Sequence, residues 1–276
     1  MMSQYYNYKT AIIIFFMSLI GYLVLLIGFY NNDALMGETP QALRYLVLGF
    51  SQLLLLLPLF FYVVGNGKSV KHAFRVRPVS ARAFFDILMI AIGMFFLLEL
   101  TRIVGSMLFR TELPVQESLK VVYPLNFILI FLISVVVTPI VEEAVFRGYL
   151  LRVMLRSKYS PLLAVTLSAF LFMLAHLDYW NAPGIFLAGL ILGFIAYSFY
   201  SIIPCIIIHA VFNTMVLIDI NVPQIRDAIF YSRSFVPWVI MGGGILMLLL
   251  GLLNVKTKVH IHRKRRTVKE GDVHEE

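Results

Sequence analysis

The sequence has few charged residues and almost no cysteine. Only 14% of its 276 residues are Asp, Glu, Lys or Arg, and 60% are hydrophobic. A soluble globular domain carries about a quarter charged residues, so this composition excludes that class. The single cysteine, Cys205, excludes an intramolecular disulfide framework and a zinc knuckle built from several cysteines. The chain is therefore predicted to be an integral membrane protein.

Long apolar stretches make up most of the chain. A helix needs about 20 mostly apolar residues to cross about 30 Å of hydrocarbon. Eight stretches are predicted as spans, at 11–30, 45–64, 84–101, 125–157, 161–177, 184–200, 204–220 and 237–253. The first is expected to be a retained span rather than a signal peptide, because it is long for a signal core and lacks a small-residue cleavage site.

The predicted fold class is all-α, a polytopic membrane bundle of about eight transmembrane helices with an intramembrane active site. We divide the chain into helices 1 to 3 with their loops (1–124), a catalytic core of helices 4 to 7 (125–220), and a last helix with a basic tail (221–276). No internal repeat is evident.

Basic residues are distributed unevenly between the two predicted sides. One side receives sixteen of them: Lys9, Lys68, Lys71, Arg75, Arg77, Arg82, Arg152, Arg156, Lys158, Lys256, Lys258, Arg263, Lys264, Arg265, Arg266 and Lys269. The other receives six, with five acids: Arg44, Arg102, Arg110, Lys120, Arg226, Arg233, Asp33, Glu38, Glu112, Glu117 and Asp227. The positive-inside rule then places both termini in the cytoplasm, with the cell membrane as the expected location. The charge is interpreted as a determinant of topology beside lipid headgroups, with no nucleic-acid partner.

Two adjacent glutamates and an arginine lie in the fourth span. Ionisable side chains in hydrocarbon cost about 2.5–3.5 kcal/mol each, so they require an explanation. Glu143 and Arg147 are four residues apart and are expected to pair on one helix face. Glu142 points about 100° away from Glu143, so one carboxylate is left for chemistry. A charge cluster that only fixes helix packing is the structural alternative.

Two histidines and an asparagine follow on later spans. His176 ends the segment Phe172–His176, and His209 and Asn213 are four residues apart on one helix face. Each signal has a packing alternative, because interhelical hydrogen bonds by such residues are common in membranes. Together, carboxylates, imidazoles, an amide and a guanidinium can activate water and stabilise an oxyanion.

The order Glu-Glu-x-x-x-Arg, Phe-x-x-x-His and His-x-x-x-Asn resembles the CPBP family of intramembrane proteases. This family includes the type II CAAX prenyl endopeptidases and the bacteriocin-processing or immunity-type (Abi) proteins. The resemblance extends from about residue 125 to about residue 220. It implies an intramembrane endopeptidase that acts on a membrane-associated substrate, either a prenylated protein or a leader peptide.

The resemblance also implies roles for the motif residues. Glu142 would be the general base with His176 as its partner, and His209 and Asn213 would form the oxyanion hole. Glu143, Arg147 and Phe172 would support the site. A zinc ion held by Glu142, His176 and His209 is possible, because catalytic zinc uses three protein ligands. The sequence lacks a His-Glu-x-x-His helix, and we favour the metal-free alternative.

The depths of these residues give a further expectation. By helical rise, Glu142 and His176 lie about 22 and 24 Å from the basic side, whereas His209 would lie only about 8 Å deep. We therefore expect the turn at 201–204 to be recessed and a cavity to reach the site from the cytoplasmic side.

Two other function classes remain open at this point. The first is a non-catalytic immunity or scaffold protein that binds a peptide or partner. The second is a transporter that uses Glu142 and Glu143 as a proton relay. A transporter would more often show paired repeats and broken helices in both halves, and neither is evident.

Overall fold

The structure is a computed structural model that describes residues 8–30, 40–110, 119–121, 124–157, 159–230 and 235–271. We number its helices α1 (Tyr8–Tyr30), α2 (Gln41–Gly65), α3 (Val70–Ala73), α4 (Phe84–Phe109), α5 (124–156), α6 (Pro161–Ala175), α7 (Ala182–Phe199), α8 (Ile203–Asn221), α9 (Pro223–Phe230) and α10 (Val236–Gly271). A 3₁₀ turn, Ala81–Ala83, precedes α4. No strand occurs within these ranges, and the predicted all-α fold is confirmed.

Seven described helices are long and apolar enough to cross a membrane, and an eighth, α6, is shorter. The chain is therefore an integral, multi-pass membrane protein, as predicted. Helix α6 has 15 residues, or about 22 Å of rise. The predicted fifth span, 161–177, was too long by two residues, because the helix ends at Ala175 and leaves His176 at its C-terminal end. This rise is less than the roughly 30 Å of hydrocarbon in a bilayer of ordinary thickness.

Hydrogen bonds between loops define the two ends of the bundle. At the basic end, Arg152 donates to the carbonyls of His72 and Ala73, and Ser201 Oγ donates to Arg77 O at 2.7 Å. At the opposite end, Asn221 Nδ2 donates to Leu119 O at 3.1 Å. The helices therefore alternate in direction through the bundle. We use "basic end" and "opposite end" for these two sides below.

Which end is cytoplasmic stays a prediction, and so does the division at 124 and 220. Several charges behind the predicted orientation lie outside the described residues: Asp33, Glu38, Glu112, Glu117, Lys158 and Arg233. The tail continues α10 to Gly271, and its side chains beyond Thr257 also lie outside the description.

Helix α5 is not a regular α-helix. It contains two π-helical segments, Phe131–Val137 and Glu143–Leu150, on either side of the short α-helical segment Thr138–Glu142. A π-helix bonds each residue to the fifth along the chain and is frequently found at functional sites. The wider turn changes the angular spacing assumed from sequence, and the second π-helical segment begins at Glu143, directly after Glu142.

Glycines allow the helices around the site to pack closely. A Cβ on Gly189 of α7 would lie 2.9 Å from the backbone of Ala169 in α6, and one on Gly193 would lie 2.9 Å from Val165. Small residues at such crossings allow backbones to approach in lipid, where no hydrophobic force holds helices together. The close contact at Gly189 and Gly193 fixes α7 against the helix that carries Phe172.

Candidate active site

The carboxylate of Glu142 is buried where three other helices meet. Its residue is 5% exposed. The Nε2 atoms of His176 and His209 each lie 3.9 Å from Glu142 Oε2. On the other side, Gln52 Nε2 of α2 donates to Oε1 at 3.5 Å. No partner of Glu142 in this set comes from its own helix, as the sequence predicted, so its position depends on the packing of the bundle.

Both imidazoles present the same nitrogen to Glu142, because the other nitrogen is bound to an acceptor. His176 Nδ1 lies 2.8 Å from the carbonyl oxygen of Phe172, which can only accept, so Nδ1 carries the proton. His209 Nδ1 lies 2.9 Å from Glu143 Oε1. Such contacts fix the tautomer and ring orientation of a histidine. The two rings are thus held with Nε2 directed at one carboxylate oxygen.

Glu143 and Arg147 form a fully buried ion pair. Arg147 Nη1 lies 3.1 Å from Glu143 Oε1, and both side chains are 0% exposed. Arg147 also donates to Gly189 O at 3.4 Å, and its guanidinium lies 4.1 Å above the ring of Phe172. The predicted pairing within the helix is confirmed. Glu143 Oε1 therefore links Arg147 to His209, and the pair supports the imidazole rather than facing the cavity.

Asn213 lies one turn beyond His209 on α8. Its Nδ2 donates to Ser134 O at 2.7 Å, in the first π-helical segment of α5. One amide proton is used in that bond, and the second remains available because Asn213 lines the cavity described next. The structure therefore brings together the four residues that the sequence selected, Glu142, His176, His209 and Asn213.

A cavity of about 420 Å³ contains this cluster. Its lining includes Gln52, Ser134, Glu142, His176, His209 and Asn213, and it continues to residues of the opposite end: Glu99, Arg102, Leu119, Asp178, Asn181, Asp219 and Ile220. No residue of 68–82 or 200–204 lines it. The expectation that the cavity reaches the site from the basic, predicted cytoplasmic side was wrong.

The basic end is closed by the loop before α4. Ser201 and Ile202 are 2% exposed, because Ser201 Oγ bonds to Arg77 O and Ile202 N bonds to Arg75 O at 3.1 Å. Phe74 also reaches Gly148 of α5, where a Cβ would lie 2.7 Å from Phe74 O. The turn at 201–204 is buried, as the depth argument required. It is covered by protein rather than opened to a cavity.

Sequence reasoning missed Gln52, Ser134, Asn181 and Asp219 as lining residues. Gln52 stands alone in the apolar stretch of α2, and such an intramembrane amide is itself a signal that could have been used. Ser134 contributes a backbone carbonyl, which sequence cannot reveal. Asp219 is a carboxylate near the end of α8, where exposure to water would have been the ordinary interpretation.

The possible metal set predicted from sequence is not arranged as a metal site. Among the residues that the structure describes, no group of three or more His, Cys, Asp and Glu side chains is placed to hold a metal ion. Glu142, His176 and His209 converge, with each Nε2 atom 3.9 Å from Glu142 Oε2. We derive no chemical step through a metal from this arrangement.

Residues 124–215 match a family model described as type II CAAX prenyl endopeptidase Rce1-like. This segment carries every motif residue discussed above, and the predicted resemblance is confirmed over one third of the chain. The match supports an intramembrane protease of the CAAX type. No curated protein and no solved structure matched the chain.

Proposed function

We propose that this chain, similar over its central third to the type II CAAX prenyl endopeptidases, hydrolyses a peptide bond of a membrane-associated substrate with water activated by Glu142. The observation that carries this proposal is the convergence of two Nε2 atoms on Glu142 Oε2 inside a cavity. A buried carboxylate with no functional role would only destabilise a membrane bundle. A carboxylate facing two fixed imidazoles and open space is suited to general-base chemistry.

In the first step, Glu142 Oε2 accepts a proton from a water molecule in the cavity. The oxygen of that water adds to the scissile carbonyl carbon, and the carbonyl oxygen becomes an oxyanion. Glu142 then gives up that proton, directly or through His176 Nε2, to the amide nitrogen, and the carbon–nitrogen bond breaks. The products are one new carboxyl terminus and one new amino terminus, with Glu142 returned to its carboxylate form.

The oxyanion is stabilised by His209 and Asn213. His209 Nδ1 is held by Glu143 Oε1, so Nε2 is the ring nitrogen left to face the oxyanion. Asn213 contributes its second amide proton from one turn away. A donor placed for the developing charge contributes about 2.7–4 kcal/mol to catalysis, judged from the loss of one such donor in another protease.

We propose further that the substrate enters from the opposite end of the bundle. The cavity lining continues to that end, and the basic end is sealed by the loop that carries Phe74, Arg75 and Arg77. With the positive-inside orientation, this is the non-cytoplasmic face of the membrane. A membrane-impermeant thiol reagent, applied to cysteines placed at 119 and at 71 in a Cys205→Ala background, tests the assignment.

The proposed chemistry is tested with the full chain in proteoliposomes and a library of quenched fluorescent peptides that carry a membrane anchor. Glu142→Gln is expected to lower the cleavage rate by about 10²–10⁴, the usual contribution of a general base. The matched control is Asp86→Asn, because Asp86 is also a buried carboxylate of a span (4% exposed), accepts from Asn254 Nδ2 at 3.1 Å, and does not line the cavity. It should retain activity within about threefold. Equal rates for wild type and Glu142→Gln would overturn the proposal.

A further inference from the structure

The half of the cavity nearer the opposite end contains polar side chains that the proposed chemistry does not use. They come from three different parts of the fold: Glu99 and Arg102 from α4, Asp178 and Asn181 from the loop between α6 and α7, and Asp219 from α8. Because these side chains come from three elements and line one cavity, the group differs from a run of charges along a single exposed helix. We call these five side chains the cavity mouth.

The charges of the cavity mouth do not balance. Arg102 Nη1 pairs with Glu99 at 3.0 and 3.2 Å, which neutralises one carboxylate. Asp178 accepts from the backbone N and the side-chain Nδ2 of Asn181, at 3.1 and 2.8 Å. Three carboxylates and one guanidinium leave two formal negative charges among these side chains. In a narrow low-dielectric cleft, such charge raises the local concentration of cations.

Two oxygen atoms of the cavity mouth are buried without a hydrogen-bond donor. Asp219 is 6% exposed, and its Oδ1 accepts from no described residue. Asn181 Oδ1 also accepts from no described residue, while the Nδ2 of the same side chain donates to Asp178. A buried polar atom with no partner carries a large desolvation cost, and the cost is larger for a charged group. Asp219 and Asn181 both line the same cavity, so a ligand held there would lie beside them.

Besides Arg102, which pairs with Glu99, the candidate for a purely structural partner of Asp219 is Arg226, on the helix that follows α8. Its Nε pairs instead with Asp227 Oδ1 at 3.2 Å, where the Asp227 side chain is 60% exposed. Arg226 does not line the cavity. The arginine therefore does not satisfy Asp219 Oδ1.

We propose that the cavity mouth is a specificity subsite for a cationic group of the peptide substrate, either a Lys or Arg side chain or a free terminal ammonium. Asp219 Oδ1 and Asn181 Oδ1 accept from its N–H groups, and the excess negative charge attracts it. This inference rests on the proposed function, because it takes the cavity to hold a peptide. Hydrogen bonds from a charged donor are roughly twice as strong as neutral ones.

The distance along α8 sets the expected position of that group. Asp219 lies ten residues beyond His209, or about 15 Å by helical rise. An extended peptide advances about 3.3 Å per residue, so the cation falls about four to five residues from the scissile bond. A long side chain covers part of the distance itself, which widens the expected window to about three to five residues.

Binding of one peptide pair to the Glu142→Gln chain in nanodiscs tests the proposal without turnover. The pair is a membrane-anchored, N-acetylated fluorescent peptide with Lys four residues from its centre, and the same peptide with uncharged norleucine there. The Lys peptide should bind about tenfold more tightly, equivalent to about 1.4 kcal/mol. Asp219→Asn should reduce that ratio to twofold or less. The matched control Asp227→Asn removes the same charge outside the cavity and should leave the ratio unchanged.

The remaining arms separate the possible sources of the cation and the possible failures. A norleucine peptide with a free amino terminus at the same distance shows whether a terminal ammonium serves as well as a side chain. Equal affinities for the Lys and norleucine peptides at every distance of three to five residues, or a preference that survives Asp219→Asn, would overturn the subsite. Failure of the proposed function would show differently, as peptide cleavage that does not depend on Glu142, and it would leave this binding comparison intact.

Discussion

The buried ion pair of Glu143 and Arg147 permits a test that separates stability from activity. In Arg147→Met, the carboxylate of Glu143 remains buried, and His209 is its remaining side-chain partner among the described residues. Removal of one partner of a buried pair typically costs about 3–5 kcal/mol. The bond to Gly189 O and the contact with the Phe172 ring are lost as well. We expect a loss in the upper part of that range.

The double substitution Glu143→Leu with Arg147→Met should behave differently. Replacement of a buried pair by apolar side chains is often neutral or stabilising, so unfolding free energy should return to within about 1–2 kcal/mol of wild type. Activity should stay low, because His209 Nδ1 has then lost the carboxylate that orients the ring. We expect a fall of about 10–10²-fold, the range seen when an outer-shell residue that orients a metal-binding histidine is removed.

The measurement is reversible unfolding in mixed micelles of lipid, detergent and increasing SDS, followed by tryptophan fluorescence, with peptidase activity assayed on the same preparations. The reasoning is refuted if Arg147→Met is as stable as wild type, or if the double variant is no more stable than the single one. It is also refuted if the double variant regains both stability and full activity, because Glu143 would then have no role in holding His209.

Three further predictions follow from the contacts of the site. Gln52→Leu removes the donor to Glu142 Oε1 and should lower kcat about tenfold with little change in KM, whereas a change confined to KM would show that Gln52 acts on substrate binding instead. Gly189→Ala forces a Cβ to 2.9 Å from the Ala169 backbone and should destabilise the fold by about 1–3 kcal/mol. The control Gly242→Ala, where a Cβ meets nothing within 4 Å, should be neutral or slightly stabilising. Equal effects of the two variants in unfolding assays would contradict the packing argument. A chelator such as EDTA should leave peptidase activity within about twofold of the untreated enzyme, and a loss that added zinc restores would show that a metal takes part.

The membrane architecture and the identity of the converging residues could be predicted from sequence for a simple reason. Hydrocarbon penalises charge so strongly that Glu142, Glu143, Arg147 and His209 stand out against their neighbours. The i,i+4 relation of Glu143 and Arg147 also survived, although their segment is π-helical, because both spacings leave residues four apart close together.

The direction of the cavity could not be predicted, because it depends on which loops cover the bundle. The charges of Arg75 and Arg77 suggested an exposed loop at the basic end. Their backbone carbonyls instead accept hydrogen bonds from Ile202 and Ser201, and the loop folds against the turn at 201–204. Hydrogen bonds to backbone carbonyls do not depend on residue type, so the sequence pattern does not predict them.

The central claim is that Glu142 hydrolyses peptide bonds, rather than only binding a peptide or fixing helix packing. The most direct test compares the peptide and protein termini present in cells that express wild type or Glu142→Gln at equal, membrane-inserted levels. The account predicts a set of paired new carboxyl and amino termini, next to or within membrane segments, that occurs with wild type and disappears with the variant. Identical termini in both cells, together with an unchanged cellular phenotype, would contradict it.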